Sequence, residues 1–98
     1  MIRTISTEEI TVNIREMCIE ANHYLTNDMK TALMQAAKKE RSPLGKQILG
    51  QLEENLQIAA QDMIPICQDT GMAVIFMEIG QDVHVEGGSL TEAVNEGV

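Results

Sequence analysis

Aromatic residues are nearly absent from the sequence: one Tyr (Tyr24), one Phe (Phe76) and no Trp. Any core is therefore aliphatic, with seven Met residues as adaptable filler. Basic residues are scarce too, seven Lys and Arg against fifteen Asp and Glu, for a net charge of -8. Phosphate binding needs clustered cations to displace counterions, so the charge balance argues against nucleic acid as a partner. The one basic group, Lys38, Lys39 and Arg41, falls at a predicted helix end, where the helix dipole accounts for it. No run approaches the roughly 18 apolar residues of a membrane span. Met1–Glu8 is polar with no apolar stretch behind it, so no signal-peptide pattern is present. The two cysteines, Cys18 and Cys67, form no Cys-x-x-Cys pair, which leaves zinc and ferredoxin-type clusters without support. Nothing looks secreted, and the expectation is a cytoplasmic protein with reduced thiols.

What is present is enough for one modest core in 98 residues. Ser6 and Glu9 form a capping box ahead of Ile10, Ile14, Met17, Cys18 and Ala21, which predicts an amphipathic helix to about Asn22. Thr26-Asn27-Asp28 starts a second helix, with Met29, Leu33, Ala36 and Ala37 on one side. Ser42-Pro43 starts a third, Pro sitting where its missing N–H costs nothing, and Leu44 to Ala59 carries its apolar stripe. Residues 1–62 thus read as a helical unit. After a loop over 63–71, Met72–Ile79 is almost continuously apolar, the mark of a strand covered on both faces. Gly80-Gln81 suits a two-residue hairpin turn, and Asp82–Glu86 alternates as its second strand. Ser89 and Glu92 cap one more helix over 89–98. The predicted class is α+β: three helices, then a β-hairpin over 72–86 that belongs to a larger sheet, then the start of a helix. The stripe begun by Leu90, Ala93 and Val94 stops at Val98, and one hairpin cannot bury a two-faced strand, so the natural chain is expected to continue.

Chemistry concentrates in the loop Pro65-Ile66-Cys67-Gln68-Asp69-Thr70-Gly71. A thiol, an amide, a carboxylate and a hydroxyl stand on four successive residues, at a strand end where scaffolds present functional groups. A thiolate binds soft metals, an amide orients a substrate oxygen, and a carboxylate moves a proton. A plain structural reading competes: Asp-Thr-Gly is good turn chemistry, and a cysteine is commonly just buried. His84 on the polar face of the second strand, His23 after the first helix, and Cys18 on an apolar stripe read as structural rather than ligating. Gly87-Gly88 lacks the context of a nucleotide site.

The string Pro65-Ile66-Cys67-Gln68-Asp69-Thr70-Gly71-Met72-Ala73 closely resembles the N-terminal part of the class I, iron–sulfur-dependent fumarase family. Gly80-Gln81-Asp82-Val83-His84, Asn95-Glu96-Gly97-Val98 and Ser42-Pro43-Leu44-Gly45 add to the likeness, which runs over essentially the whole chain. It is closest to the alpha subunit of two-subunit members. Tartrate dehydratase alpha subunits share the Cys-Gln-Asp-Thr-Gly core and usually differ after it.

The resemblance implies that Cys67 is the first of three cysteines holding a four-iron, four-sulfur cluster, whose open iron acts as a Lewis acid on the substrate. It implies that Gln68 and Asp69 contact a dicarboxylate (fumarate or malate) and that Asp69 handles a proton. The other two cysteines and the cationic clamps for a dianion are absent, so the remainder of the enzyme or a beta subunit must supply them. A hydro-lyase fragment, inactive alone and part of a homo-oligomer, is the expectation. The rival readings are a tartrate dehydratase-type fragment and a non-catalytic module that pairs through an exposed strand edge.

Overall fold

A computed structural model describes residues 1–68 and 71–98. In chain order the elements are β1 (Arg3–Ser6), α1 (Thr7–His23), α2 (Asn27–Lys39), α3 (Pro43–Asp62), β2 (Val83–Glu86) and α4 (Leu90–Gly97). The class is α+β, as the sequence predicts. The chain divides into two compact units, Met1–Glu20 with Gly71–Val98, and Ala21–Thr70.

In the first unit, β1 and β2 lie parallel in the register Arg3 to Val83, Thr4 to His84, Ile5 to Val85 and Ser6 to Glu86. A parallel pair needs a long crossover, and everything from α1 onward intervenes between the two strands. The capping box at Ser6 forms in both directions: Glu9 N–H donates to Ser6 Oγ at 3.1 Å, and Ser6 N–H to Glu9 Oε2 at 3.4 Å. It starts α1 with Ile10 and Ile14 one turn apart on the same face. These two and Ala93 of α4 form the buried cluster, with Ile5, Cys18, Val85, Leu90 and Val94 packed around it. Burying a side chain of this size stabilises by about 1.5–3 kcal/mol. Thr11 Oγ1 donates to Ala93 C=O at 2.9 Å, tying α1 to α4. Gly97 allows α4 to come close to α1, because a Cβ there would stand 2.7 Å from Ile14 Cβ.

Two segments differ from the sequence reading. Arg3–Ser6, within the stretch 1–62 read as a helical unit, is a strand, and it takes β2 as its partner. Met72–Ile79 forms no strand, so no hairpin closes over 72–86. The turn at 80–83 does form, Val83 N–H donating to Gly80 C=O at 3.1 Å. Its central residues are Gln81 and Asp82, however, and the glycines with positive φ are Gly87 and Gly88, not Gly80. A glycine-first hairpin turn requires the left-handed region at that glycine. Met72–Ile79 keeps a strand-like alternation in its exposure, with Met72, Val74 and Phe76 far more open than Ile75, Met77 and Ile79.

In the second unit, α2 and α3 pack together. Ser42 caps α3 by accepting Gly45 N–H at 3.2 Å, with Pro43 in the first turn as predicted. Thr26 caps α2 by backbone only. A groove of about 300 Å³, lined by Leu33, Met34, Leu56 and Ala60 among others, runs between the two helices. Among the described residues of this unit, Ala59 is the buried hydrophobic one.

Candidate functional site

The end of α3 decides where the predicted loop goes. Met63 adopts the left-handed conformation (φ 52°, ψ 47°) and turns the chain back, its N–H donating to Ala59 C=O. Ile64 N–H donates to the same carbonyl at 3.2 Å, and Tyr24 O–H donates to Met63 Sδ at 3.7 Å. Ile66, the residue before Cys67, is then held through both of its backbone groups. Its N–H donates to Asn22 C=O at 2.7 Å, near the end of α1. Its C=O accepts from Asn55 Nδ2, on α3, at 2.9 Å.

Cys67 and Gln68 follow this anchor, and both are exposed. Asp69, the candidate proton carrier, and Thr70 lie outside the described residues. The structure therefore places two of the three predicted site residues side by side, immediately after a fixed point on two helices. Cys18 belongs to the first unit, where it is half-buried against the Ile10, Ile14 and Ala93 cluster. His84 is exposed on β2, and Glu86 shares its face.

Among the described residues no group of three His, Cys, Asp or Glu side chains could hold a metal ion. With one thiol at the loop, this chain fits an iron–sulfur cluster as the donor of a single ligand, not as its holder. A single exposed thiol beside a carboxamide offers a soft metal ligand and a hydrogen-bond donor for a substrate oxygen. No charge clamp for a dianion accompanies them in the loop.

Asn55 was not legible as part of this arrangement. The available signal was its type: Asn is a poor helix former, and its side chain tends to bond backbone groups, so its presence in the interior of a 20-residue helix invites a search for a partner.

The described residues of this loop thus present a thiol and a carboxamide from the end of α3. Comparison with known proteins gives the chain a family. The description Fumarate hydratase (Fumerase) matches residues 11–98, and the chain belongs to this family. It is 40% identical over 84 residues, 85% of its length, to "Putative L(+)-tartrate dehydratase subunit alpha" of Methanocaldococcus jannaschii. It is 41% identical over 59 residues, 60% of its length, to "Fumarate hydratase class I, anaerobic" of Escherichia coli K12. The chain spans 30% of the first relative's length and 11% of the second's. No solved structure matches it. Among the described residues no helix is long and apolar enough to cross a membrane.

Proposed function

We propose that the chain is the N-terminal part of an iron–sulfur-dependent hydro-lyase that interconverts fumarate and malate by reversible addition of water across a carbon–carbon double bond. The observation that carries this reading is the Cys67-Gln68 pair, exposed directly after a doubly anchored residue, in a chain matched by the fumarate hydratase family over residues 11–98. In this reading Cys67 is one of three thiolate ligands of a four-iron, four-sulfur cluster. When bound, the cluster supplies Lewis acidity that makes hydroxide a feasible leaving group. Gln68 donates from its carboxamide to a carboxylate oxygen of the substrate and fixes its orientation. Asp69 takes the proton from the carbon next to that carboxylate in the dehydration direction and returns it during hydration.

The remaining ligands and the cations that hold a dianion come from the rest of the enzyme or from a beta subunit, within a cytoplasmic homo-oligomer. On its own the chain is inactive. A second substrate reading has specific support: the match to the tartrate dehydratase subunit covers 84 residues, against 59 for the fumarate hydratase. Loss of water from tartrate gives the enol of oxaloacetate, so the same chemistry serves both diacids.

The test uses the intact natural protein with any partner subunit, reconstituted anaerobically with iron and sulfide and supplied with fumarate, malate or L(+)-tartrate. Malate formation from fumarate supports the primary reading. Oxaloacetate formation from tartrate alone moves the assignment to the second. No turnover of any diacid would leave the non-catalytic interaction module as the better account.

A further inference from the structure

We propose that Asn55 is a positioning residue for the loop that presents Cys67. The inference rests on the reading of Cys67 as a cluster ligand, and it deepens that reading by naming the side chain that sets where the thiol stands.

The argument begins with distance along the chain. Asn55 is seven residues before the last residue of α3, about 10 Å along the axis at the helical rise. The loop must run back over the same span to bring Ile66 beside it, and Met63–Ile66 in extended form covers about that length. The left-handed residue at Met63 makes the reversal, and the 2.9 Å bond from Asn55 Nδ2 to Ile66 C=O closes it. The Asn22 carbonyl fixes the other backbone group of Ile66 at 2.7 Å. With N–H and C=O both bound, the peptide plane between Ile66 and Cys67 cannot rotate freely, and that plane sets the direction in which the next residue leaves the chain. Of these two bonds to Ile66, the one from Asn55 is made by a side chain. Its role therefore depends on residue type, whereas Asn22 contributes a carbonyl that any residue would supply.

A neutral amide suits this task. It must donate, because the partner is a carbonyl, and Asp, which has the same shape, has no proton to give at neutral pH. Outer partners that orient metal ligands are worth about 10–100-fold in metal affinity when removed.

The experiment compares Asn55→Asp, Asn55→Ala and Asn55→Gln in the intact natural protein. Two quantities are read: amide hydrogen exchange of Ile66 and its neighbours in the cluster-free protein, and retention of the iron–sulfur chromophore after reconstitution. Asn55 is exposed, so the variants are expected to fold, with exchange along the rest of α3 unchanged. In Asn55→Asp and Asn55→Ala, exchange at Ile66 is expected to rise about fivefold, the factor carried by one hydrogen bond of typical net strength. Cluster retention is expected to fall about tenfold. Asn55→Gln, which keeps the donor, is expected to recover part of both. Unchanged exchange at Ile66 in Asn55→Asp would overturn the proposal. So would faster exchange with full cluster retention, which would make Asn55 merely structural. A Cys67→Ala protein that keeps its full chromophore would instead overturn the ligand reading, and exchange at Ile66 would then decide the role of Asn55 in the loop alone.

Discussion

Two helical glycines should respond to alanine with opposite signs. At Gly97 a new Cβ would lie 2.7 Å from Ile14 Cβ, 2.8 Å from Ile14 Cγ2 and 2.8 Å from the Thr11 carbonyl oxygen. Carbon atoms in contact sit about 3.5–4.0 Å apart, so α4 must retreat from α1 by roughly 1 Å. Ile14 cannot move aside: it is 3% exposed, and β-branching fixes its rotamer in a helix. Such overpacking costs about 1–3 kcal/mol. Alanine's helix propensity returns up to about 1 kcal/mol, and less than that at the last residue of a helix. The expected net effect of Gly97→Ala is a loss of about 1–2 kcal/mol, drawn from the same contact that carries the Thr11–Ala93 bond. At Gly50, inside α3, a Cβ meets nothing within 4 Å, and Gly50→Ala should stabilise by about 0.4–1 kcal/mol. Urea unfolding of the two variants beside the parent reads both signs. A Gly97→Ala protein as stable as the parent would show that α4 does not pack on Ile14 at this distance.

Further expectations concern the caps, the charges and the exposed apolar segment. Asp28 has its carboxyl held below the ordinary carboxylate value, first by a hydrogen bond from the Thr26 side chain and then by the Met29 backbone N–H. A carboxylate with a lowered folded-state pKa contributes stability that is present above its unfolded value and lost as pH falls through the folded one. Thr26→Ala should therefore move the Asp28 titration, followed by NMR, upward toward the ordinary value; no movement would remove the hydroxyl as the cause. Ser42→Ala should cost about 1 kcal/mol by removing the cap on Gly45 N–H, measured by denaturant unfolding, whereas an unchanged midpoint would mean the cap is not formed in solution. Phe76 is 94% exposed within an apolar run, and the isolated chain should self-associate through it. Sedimentation should show Phe76→Ser shifting the chain toward monomer, and a clean monomer in the parent at high concentration would count against this.

The helices were legible because their signals are local. Ser6 with Glu9, Ser42 with Pro43, and Ser89 with Glu92 each mark a boundary within four residues, and the Ser6, Ser42 and Ser89 hydroxyls each accept a first-turn N–H. The sheet was not, because its signal is distant. Arg3–Ser6 is four residues long, and its partner is about eighty residues away in sequence. No pattern within the segment announces a parallel pairing at that separation. Met72–Ile79 has the composition of a covered strand, yet composition cannot supply the ladder a strand needs. The candidate site divides in the same way. Cys67 and Gln68 were visible from their chemistry and from a family likeness, whereas Asn55 emerges only from the position of the Ile66 carbonyl beside α3.

The central claim is that Cys67 ligates an iron–sulfur cluster, and the most direct measurement is the iron and sulfide content of the intact natural protein and its Cys67→Ala variant after anaerobic reconstitution. The parent is expected to hold four irons and four sulfides per site, as the family resemblance implies, with the variant losing most of both while keeping its fold by circular dichroism. Equal iron and sulfide in the two proteins would contradict the claim.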